Sequence, residues 1–138
     1  MKQAAQGLGF FLLVVGIVLV LVLSWKMNPN VGEYHFLPDW LSAWADRLSN
    51  NQKRTAVPFL GLGIVAGVFL LLLQNRTSLA WLYTWGILTL FVMVAEFGQY
   101  FIPSRQPDMK DVFWGISGSA LGLLIPFLGS KVQIPLKK

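Results

Sequence analysis

The sequence is short of several residue types on which much protein chemistry depends. It has no cysteine, so it can form no disulfide, thiol nucleophile or thiolate metal site. Only 12% of its 138 residues are charged, about half of the roughly 25% that soluble domains carry. The single histidine, His35, stands in a loop beside Glu33 and Tyr34, where an exposed surface group is the ordinary interpretation. These shortages argue against a soluble enzyme.

Hydrophobic residues, in contrast, are abundant and arranged in blocks. They make up 55% of the chain, the mean hydropathy is +0.60, and the charges are confined to the gaps between blocks. That pattern excludes disordered, collagen-like and coiled-coil classes and predicts an integral membrane protein. The net charge of +5 arises from bases at the block ends, where Lys and Arg anchor helices against anionic head groups. We therefore expect membrane lipids as partners and no nucleic acid.

Four blocks are long enough to cross a membrane, which takes about 20 residues. We predict helices over residues 7–25, 55–74, 79–101 and 111–128. The first block is longer than the apolar core of a cleaved signal peptide, which is about 7–15 residues, and we expect it to be retained. The gap at residues 75–78 permits only a tight turn, so the second and third helices should be antiparallel neighbours. The predicted fold class is an all-α polytopic membrane protein with four transmembrane helices, forming a single domain over residues 1–138.

Four helices place both termini on one side of the membrane, and the loops with more Lys and Arg usually face the cytoplasm. The two sets of loops are nearly equal. The termini and second loop carry five bases, which are Lys2, Arg76, Lys131, Lys137 and Lys138. The first and third loops carry six, which are Lys26, Arg47, Lys53, Arg54, Arg105 and Lys110. Because acids accompany only the second set, we expect both termini to be cytoplasmic.

A short amphipathic helix is predicted in the first loop. Pro38-Asp39 is a typical helix start, and an apolar stripe at helical spacing follows it. The stripe consists of Trp40, Leu41, Trp44 and Leu48. A helix with two Trp residues on its apolar face is expected to lie in the head-group plane of the membrane. It would either close the end of the bundle as a lid or line an opening for a lipid or other ligand.

Polar residues are concentrated where the third helix ends and the fourth begins. Glu96 and Gln99 stand at i and i+3 and therefore share one helix face. A turn between two prolines then holds Arg105, and Asp108 and Asp111 follow at the start of the fourth helix, where the helix dipole favours a carboxylate. If the two helices are antiparallel neighbours, all five side chains meet at one membrane face. A carboxylate within a membrane span costs about 2.5–3.5 kcal/mol, so it is normally paired or functional.

Glycines line one face of the fourth predicted helix. Gly115, Gly118 and Gly122 follow Asp111 at spacings of four, three and four. They form a smooth face on the same side as that carboxylate, and such a face can receive either another helix or a lipid chain. The second helix offers a counterpart in Gly61, Gly63 and Gly67.

The segment from residue 96 to 122 resembles the VanZ-like family of small membrane proteins. The pattern is Glu-x-x-Gln, Pro-x-Arg and Asp-x-x-Asp, followed by glycines seven and eleven residues on. The matching residues are Glu96, Gln99, Pro103, Arg105, Asp108, Asp111, Gly118 and Gly122. The chain departs from the family pattern at Gly115, where Asn is typical, and at residues 51–55, where an Asp-Lys-x-x-His pattern is common. The resemblance implies a role in the envelope of a bacterial cell, at the inner membrane, and an effect on susceptibility to the lipidated glycopeptide teicoplanin.

Three interpretations of the polar cluster remain open. In the first, Glu96, Gln99, Arg105, Asp108 and Asp111 bind an anionic or polyprenyl-phosphate lipid, a lipid-linked precursor or a lipidated glycopeptide, with the planar Arg105 fork on a phosphate. In the second, the acids hold Mg²⁺ or Ca²⁺ in a cation-dependent enzyme that acts on a lipid phosphate. In the third, the cluster is structural: Arg105 neutralises the acids, Asp111 caps the fourth helix, and the glycine faces dock a membrane protein partner. We expect no cofactor or bound metal, and the residues favour a binding protein over an enzyme.

Overall fold

Helices make up nearly all of the regular structure in the computed structural model, which describes residues 1–28, 30, 32–35, 38–47, 53–75 and 77–131. Within those ranges there is no strand, which confirms the all-helical class. The α-helices are α1 (Lys2–Ser24), α2 (Asp39–Ala45), α3 (Ala56–Leu72), α4 (Ser78–Phe97) and α5 (Met109–Lys131). A 3-10 turn at Lys53–Thr55 leads into α3, and another at Gly98–Phe101 extends α4.

Four of the helical segments are long and apolar enough to cross a membrane. They are Lys2–Ser24, Lys53–Leu72, Ser78–Phe101 and Met109–Lys131. The first begins five residues before the predicted start at residue 7, because Gln and Ala at residues 3–6 favour a helix although they are not strongly apolar. Hydropathy marks the part of a helix suited to hydrocarbon, and the helix itself continues beyond that part.

Helix α3 occupies the centre of the bundle and packs against α1, α4 and α5, with its largest interface on α5. The core between the helices contains Phe59, Leu62, Val92, Ala95 and Leu123, all at most 5% exposed. Helix α3 and helix α4 are antiparallel neighbours, in agreement with the short connection between them. The remaining hydrophobic surface of the helices faces outward.

The two ends of the bundle are tied by long-range hydrogen bonds. At one end, Lys2 Nζ donates to Gln74 Oε1 at 2.8 Å and Gln6 Nε2 donates to the Leu72 carbonyl at 3.0 Å. At the other end, the last residues of α1 contact the last turn of α4. The start of α1, the α3–α4 turn and the end of α5 therefore share one end. The bases Arg76, Lys137 and Lys138 of the orientation argument lie outside the described residues.

The helix predicted in the first loop is present as α2. It covers Asp39–Ala45, and Leu48, the last residue of the predicted stripe, lies outside the described residues. Leu41 and Trp44 are half-buried and Ala45 is buried, whereas Trp40 is 73% exposed. The Gly32 N–H donates to Asp46 Oδ2 at 2.8 Å, which ties the loop to the end of α2.

Candidate functional site

A cavity of about 440 Å³ opens at the end of the bundle where α1 and α4 finish and α3 and α5 begin. Its walls are apolar, with Val20 and Leu23 from α1 and Phe59 from α3. Leu41 and Trp44 of α2 line it from the loop side. Six of the polar side chains that line it are considered together as the polar floor, which we define as Ser24, Arg54, Glu96, Gln99, Arg105 and Asp111.

The last turn of α4 supplies Glu96 and the 3-10 turn that extends it supplies Gln99, and these residues are only 3% and 4% exposed. Their i, i+3 spacing puts both side chains into the cavity, as the sequence pattern predicts. Gln99 Nε2 donates to Ser24 Oγ at 3.3 Å, and Ser24 Oγ donates to the Ala95 carbonyl at 3.2 Å. The amide of Gln99 is thus held in place by the end of α1.

Arg105 reaches the floor from the loop between α4 and α5. Its backbone N–H donates to the Ile102 carbonyl at 3.0 Å, and its Nη2 donates to the Ser24 carbonyl at 3.1 Å. A cation is favourable there because the last carbonyls of a helix lack partners and carry the negative end of the helix dipole. Ser104 Oγ donates to the Met27 carbonyl at 2.9 Å, which holds the loop against the same end of α1.

Burial lowers the pKa of the Arg105 guanidinium, and the nearby Arg54 guanidinium lowers it further, against the opposing effect of Glu96 and Asp111. A guanidinium begins from so high a pKa that it stays protonated at neutral pH. The same interactions place both arginines and both carboxylates in one electrostatic group. Arg105 therefore offers a permanent positive charge in a partly desolvated position.

The two aspartates before and within α5 have different roles. Asp108 Oδ1 accepts a hydrogen bond from the Lys110 N–H at 2.9 Å, and the Asp108 carbonyl accepts from the Asp111 N–H at 2.9 Å. Asp108 is thus the residue that caps α5, and the expectation that Asp111 caps it is wrong, because α5 begins at Met109. Asp108 does not line the cavity, whereas Asp111, in the first turn of the helix, does.

Three buried atoms of the polar floor make no hydrogen bond within the described part of the chain. They are Glu96 Oε2, Arg105 Nε and Asp111 Oδ1. No ion pair joins Arg105 to Glu96 or to Asp111, although the three interact electrostatically. If the cluster were a purely structural ion-pair network, these three atoms would be expected to have partners, because a buried polar group without a partner costs about 1–3 kcal/mol. The polar floor therefore has two hydrogen-bond acceptors and one donor that make no hydrogen bond to the described residues.

Two contributors to the site were not singled out by sequence reasoning. Arg54, from the 3-10 turn before α3, lines the cavity and interacts electrostatically with Asp111 and Arg105. The end of α1 supplies Ser24 and the apolar wall beside it. Arg54 could have been predicted as a site residue, because it directly precedes a span that starts at the same membrane face as the polar cluster. No spacing pattern connects Ser24 to residues some 70–80 positions away.

An ion pair bounds the cavity on the loop side. Lys26 Nζ lies 3.0 Å from Glu33 Oε2 and donates to the Asn30 carbonyl at 3.1 Å. The hydrogen bond from Lys26 to the Glu33 carboxylate raises the pKa of Lys26. Its Nζ also lies 4.4 Å from the centre of the Tyr34 ring. Lys26 thus already has an anionic partner.

The glycines of α5 face neighbouring helices and not an open groove. A Cβ on Gly115 would lie 2.7 Å from Val92 Cγ1 of α4. A Cβ on Gly118 would overlap the Ala56 carbonyl of α3, and one on Gly122 would lie 3.0 Å from Gly63 Cα. This face is therefore filled by helix packing, and no space for a lipid chain remains along it. The polar floor and the apolar cavity walls are separate from it.

The acids of the site do not converge in the manner of a metal centre. Within residues 1–28, 30, 32–35, 38–47, 53–75 and 77–131, no group of three His, Cys, Asp or Glu side chains could hold a metal ion. Glu96 and Asp111 line the cavity, but the Asp108 carboxylate is directed to the backbone of α5. The arrangement gives the cation-dependent interpretation no geometric support.

Comparison with known proteins adds no relative: no protein-family model, curated protein or solved structure matches the chain. The resemblance to VanZ-like proteins therefore stays a prediction. The residues themselves form a cavity with apolar walls and a polar floor in which three buried atoms make no hydrogen bond within the described part of the chain.

Proposed function

We propose that this protein is an integral membrane protein that binds the phosphate-bearing head group of a membrane lipid in the cavity above the polar floor. The observation that carries the proposal is the environment of Arg105. Its guanidinium is half-buried beside apolar walls, is held by one bond to the Ser24 carbonyl, and keeps a buried Nε donor without a partner. A planar guanidinium binds phosphate oxygens through paired N–H groups.

The outer surface of the bundle supports the membrane location. Along α1, Phe10, Phe11 and Val22 are each about 60% exposed, and only Gly9 and Val20 of that helix are buried. Soluble monomers rarely expose large continuous apolar patches. A helix whose apolar residues face outward along 23 residues is suited to hydrocarbon.

The cavity itself supports an amphiphilic ligand. Its volume of about 440 Å³ lies within the usual range for small-molecule sites, about 300–1,000 Å³. Val20, Leu23, Phe59 and Trp44 would contact the glycerol and upper chain region, while the polar floor would contact the head group. Helix α2, with Trp40 exposed beside the cavity, would lie in the head-group plane of the membrane.

The family resemblance extends the proposal to a biological setting. A VanZ-like protein would work at the inner membrane of a bacterial cell, with both termini in the cytoplasm and the cavity on the outer side. The amphiphile would then be a phosphate-bearing lipid or lipid-linked precursor of the envelope, and occupancy of the site would alter susceptibility to teicoplanin. A change in teicoplanin susceptibility on expression of the protein, abolished in Arg105→Ala, would support this extension.

The binding proposal is tested by native mass spectrometry of the full-length protein extracted in mild detergent. Wild type should retain a phospholipid, and Arg105→Ala should lose it while the melting temperature stays close to that of wild type. Arg47→Ala, which removes an exposed arginine on the same side of the bundle, is the matched control and should retain the lipid. Equal retention by wild type and Arg105→Ala would refute the site.

A further inference from the structure

We infer that the head group bound in the cavity is zwitterionic, with a primary ammonium beside its phosphate, as in phosphatidylethanolamine. The inference rests on the proposed function and names the class of lipid. It follows from two features of the polar floor that a phosphate alone does not satisfy, namely its unpartnered carboxylate oxygens and its balance of charge.

The unpartnered atoms require both an acceptor and a donor from the ligand. Arg105 Nε needs an acceptor, which a phosphate oxygen provides. Glu96 Oε2 and Asp111 Oδ1 need donors, which an ionised phosphate cannot provide. Glu96 is 97% buried, since only 3% of its surface is exposed, and it is one of the residues that line the cavity. A ligand that fits this floor must present N–H or O–H groups close to its phosphate.

Five charged side chains among the described residues line the cavity, three of them basic and two acidic. On the polar floor, the two bases Arg54 and Arg105 are matched in number by the two acids Glu96 and Asp111. The remaining lining base, Lys26, is paired with Glu33. A lipid with a net negative charge would leave the site with an uncompensated charge in a partly desolvated place, which is costly. A head group with zero net charge leaves the balance as it is.

Among neutral head groups, hydrogen-bonding capacity separates the candidates. A primary ammonium carries three N–H donors, enough to bond both Glu96 and Asp111. A quaternary ammonium, as in phosphatidylcholine, has the same charge but no N–H, and it leaves both carboxylate oxygens unpartnered. The two acidic residues and Arg105 line the same cavity and interact electrostatically with one another, so one head group in that cavity would face all three.

To test this inference, purified and delipidated full-length protein is mixed with equimolar dioleoyl phosphatidylethanolamine, phosphatidylcholine and phosphatidylglycerol. The bound lipids are then measured by native mass spectrometry. One retained hydrogen bond to a charged group corresponds to about a tenfold difference in affinity. We expect phosphatidylethanolamine to exceed each of the other two lipids by at least that factor. Equal binding of phosphatidylethanolamine and phosphatidylcholine would overturn the inference without requiring any variant.

Variants then assign the preference to the floor. Glu96→Gln should lower the preference for phosphatidylethanolamine over phosphatidylcholine by about tenfold, while Asp39→Asn, which changes an exposed carboxylate at the start of α2, should leave the preference unchanged. An unchanged preference in a folded Glu96→Gln variant would overturn the inference. If all three lipids bind equally and Arg105→Ala removes them equally, the head-group inference fails and the proposed function stands. If wild type binds no lipid, both fail.

The same chemistry could come from a soluble molecule instead of a lipid. Phosphoethanolamine at millimolar concentration supplies the phosphate and ammonium without acyl chains. We expect it to stabilise the protein in a thermal shift assay much less than short-chain phosphatidylethanolamine does, because the apolar walls contribute only when chains are present. An equal shift from phosphoethanolamine would assign the head-group chemistry to a soluble ligand and overturn the choice of a lipid.

Discussion

Replacement of Gly63 by alanine should loosen the interface between α3 and α5, whereas the same change at Gly61 should not. A Cβ on Gly63 would lie 2.5 Å from the Ser119 carbonyl oxygen and 2.9 Å from both Gly122 Cα and the Leu123 nitrogen. All three are backbone atoms of α5, so no side-chain rotation can relieve the contact. The helices would have to separate along their most extensive interface.

The magnitude follows from the comparison of the two sites. Overpacking a tight core costs about 1–3 kcal/mol, and the absence of a movable side chain at Gly63 favours the upper part of that range. Alanine also favours a helix over glycine by about 0.8–1.0 kcal/mol, but that gain is common to both variants and cancels. Gly61 is exposed and would meet no atom within 4 Å. We therefore expect Gly63→Ala to be about 1–3 kcal/mol less stable than Gly61→Ala.

The assay is reversible unfolding in mixed micelles, with the free energy of unfolding obtained from helix signal against denaturing detergent. Gly61→Ala should match wild type or exceed it slightly. If Gly63→Ala and Gly61→Ala unfold at the same denaturant composition, the close approach of α3 and α5 is not the packing of the folded protein, and the reasoning fails.

Two further changes test the contacts at the ends of the bundle. Trp25→Phe removes the 3.1 Å hydrogen bond from Trp25 Nε1 to the Ala95 carbonyl and should lower stability by about 1 kcal/mol; an unchanged melting curve would contradict this contact. Gln74 has a φ of 59° at the end of α3, and both Gln74→Gly and Gln74→Ala lose the hydrogen bond from Lys2. Because only glycine relieves the backbone strain, Gln74→Gly should be about 0.5–1 kcal/mol more stable than Gln74→Ala in the same unfolding assay, and equal stability of the two variants would contradict the left-handed conformation at this residue.

The long helices were predictable because a membrane-spanning helix requires little more than a continuous apolar block of sufficient length. The ends of these helices were less predictable. The start of α1 at Lys2 and of α5 at Met109 depends on helix propensity and capping, which hydropathy does not register. For the same reason, Asp108 caps α5 where Asp111 was expected to cap it. The helix begins two residues earlier than predicted, and the position of the helix start decides which carboxylate caps the helix.

The polar floor was predictable only in part. Glu96, Gln99, Arg105 and Asp111 lie in one short stretch, so local spacing was enough to predict that they would meet. Ser24 and Arg54 belong to other helices, and their arrival at the floor depends on how α1 and α3 pack. The glycine faces show the same limit, because a smooth face indicates close approach but does not say whether a helix or a lipid fills it.

The central claim, that Arg105 binds a lipid phosphate, is tested most directly by a heteronuclear distance measurement. Solid-state NMR on ¹⁵N-arginine-labelled protein in phospholipid bilayers would measure dipolar coupling between the lipid ³¹P and guanidinium nitrogens. The account predicts one arginine signal in hydrogen-bonding contact with phosphorus, present in wild type and absent in Arg105→Lys. The same phosphorus contact in both proteins, or none in wild type, would contradict it.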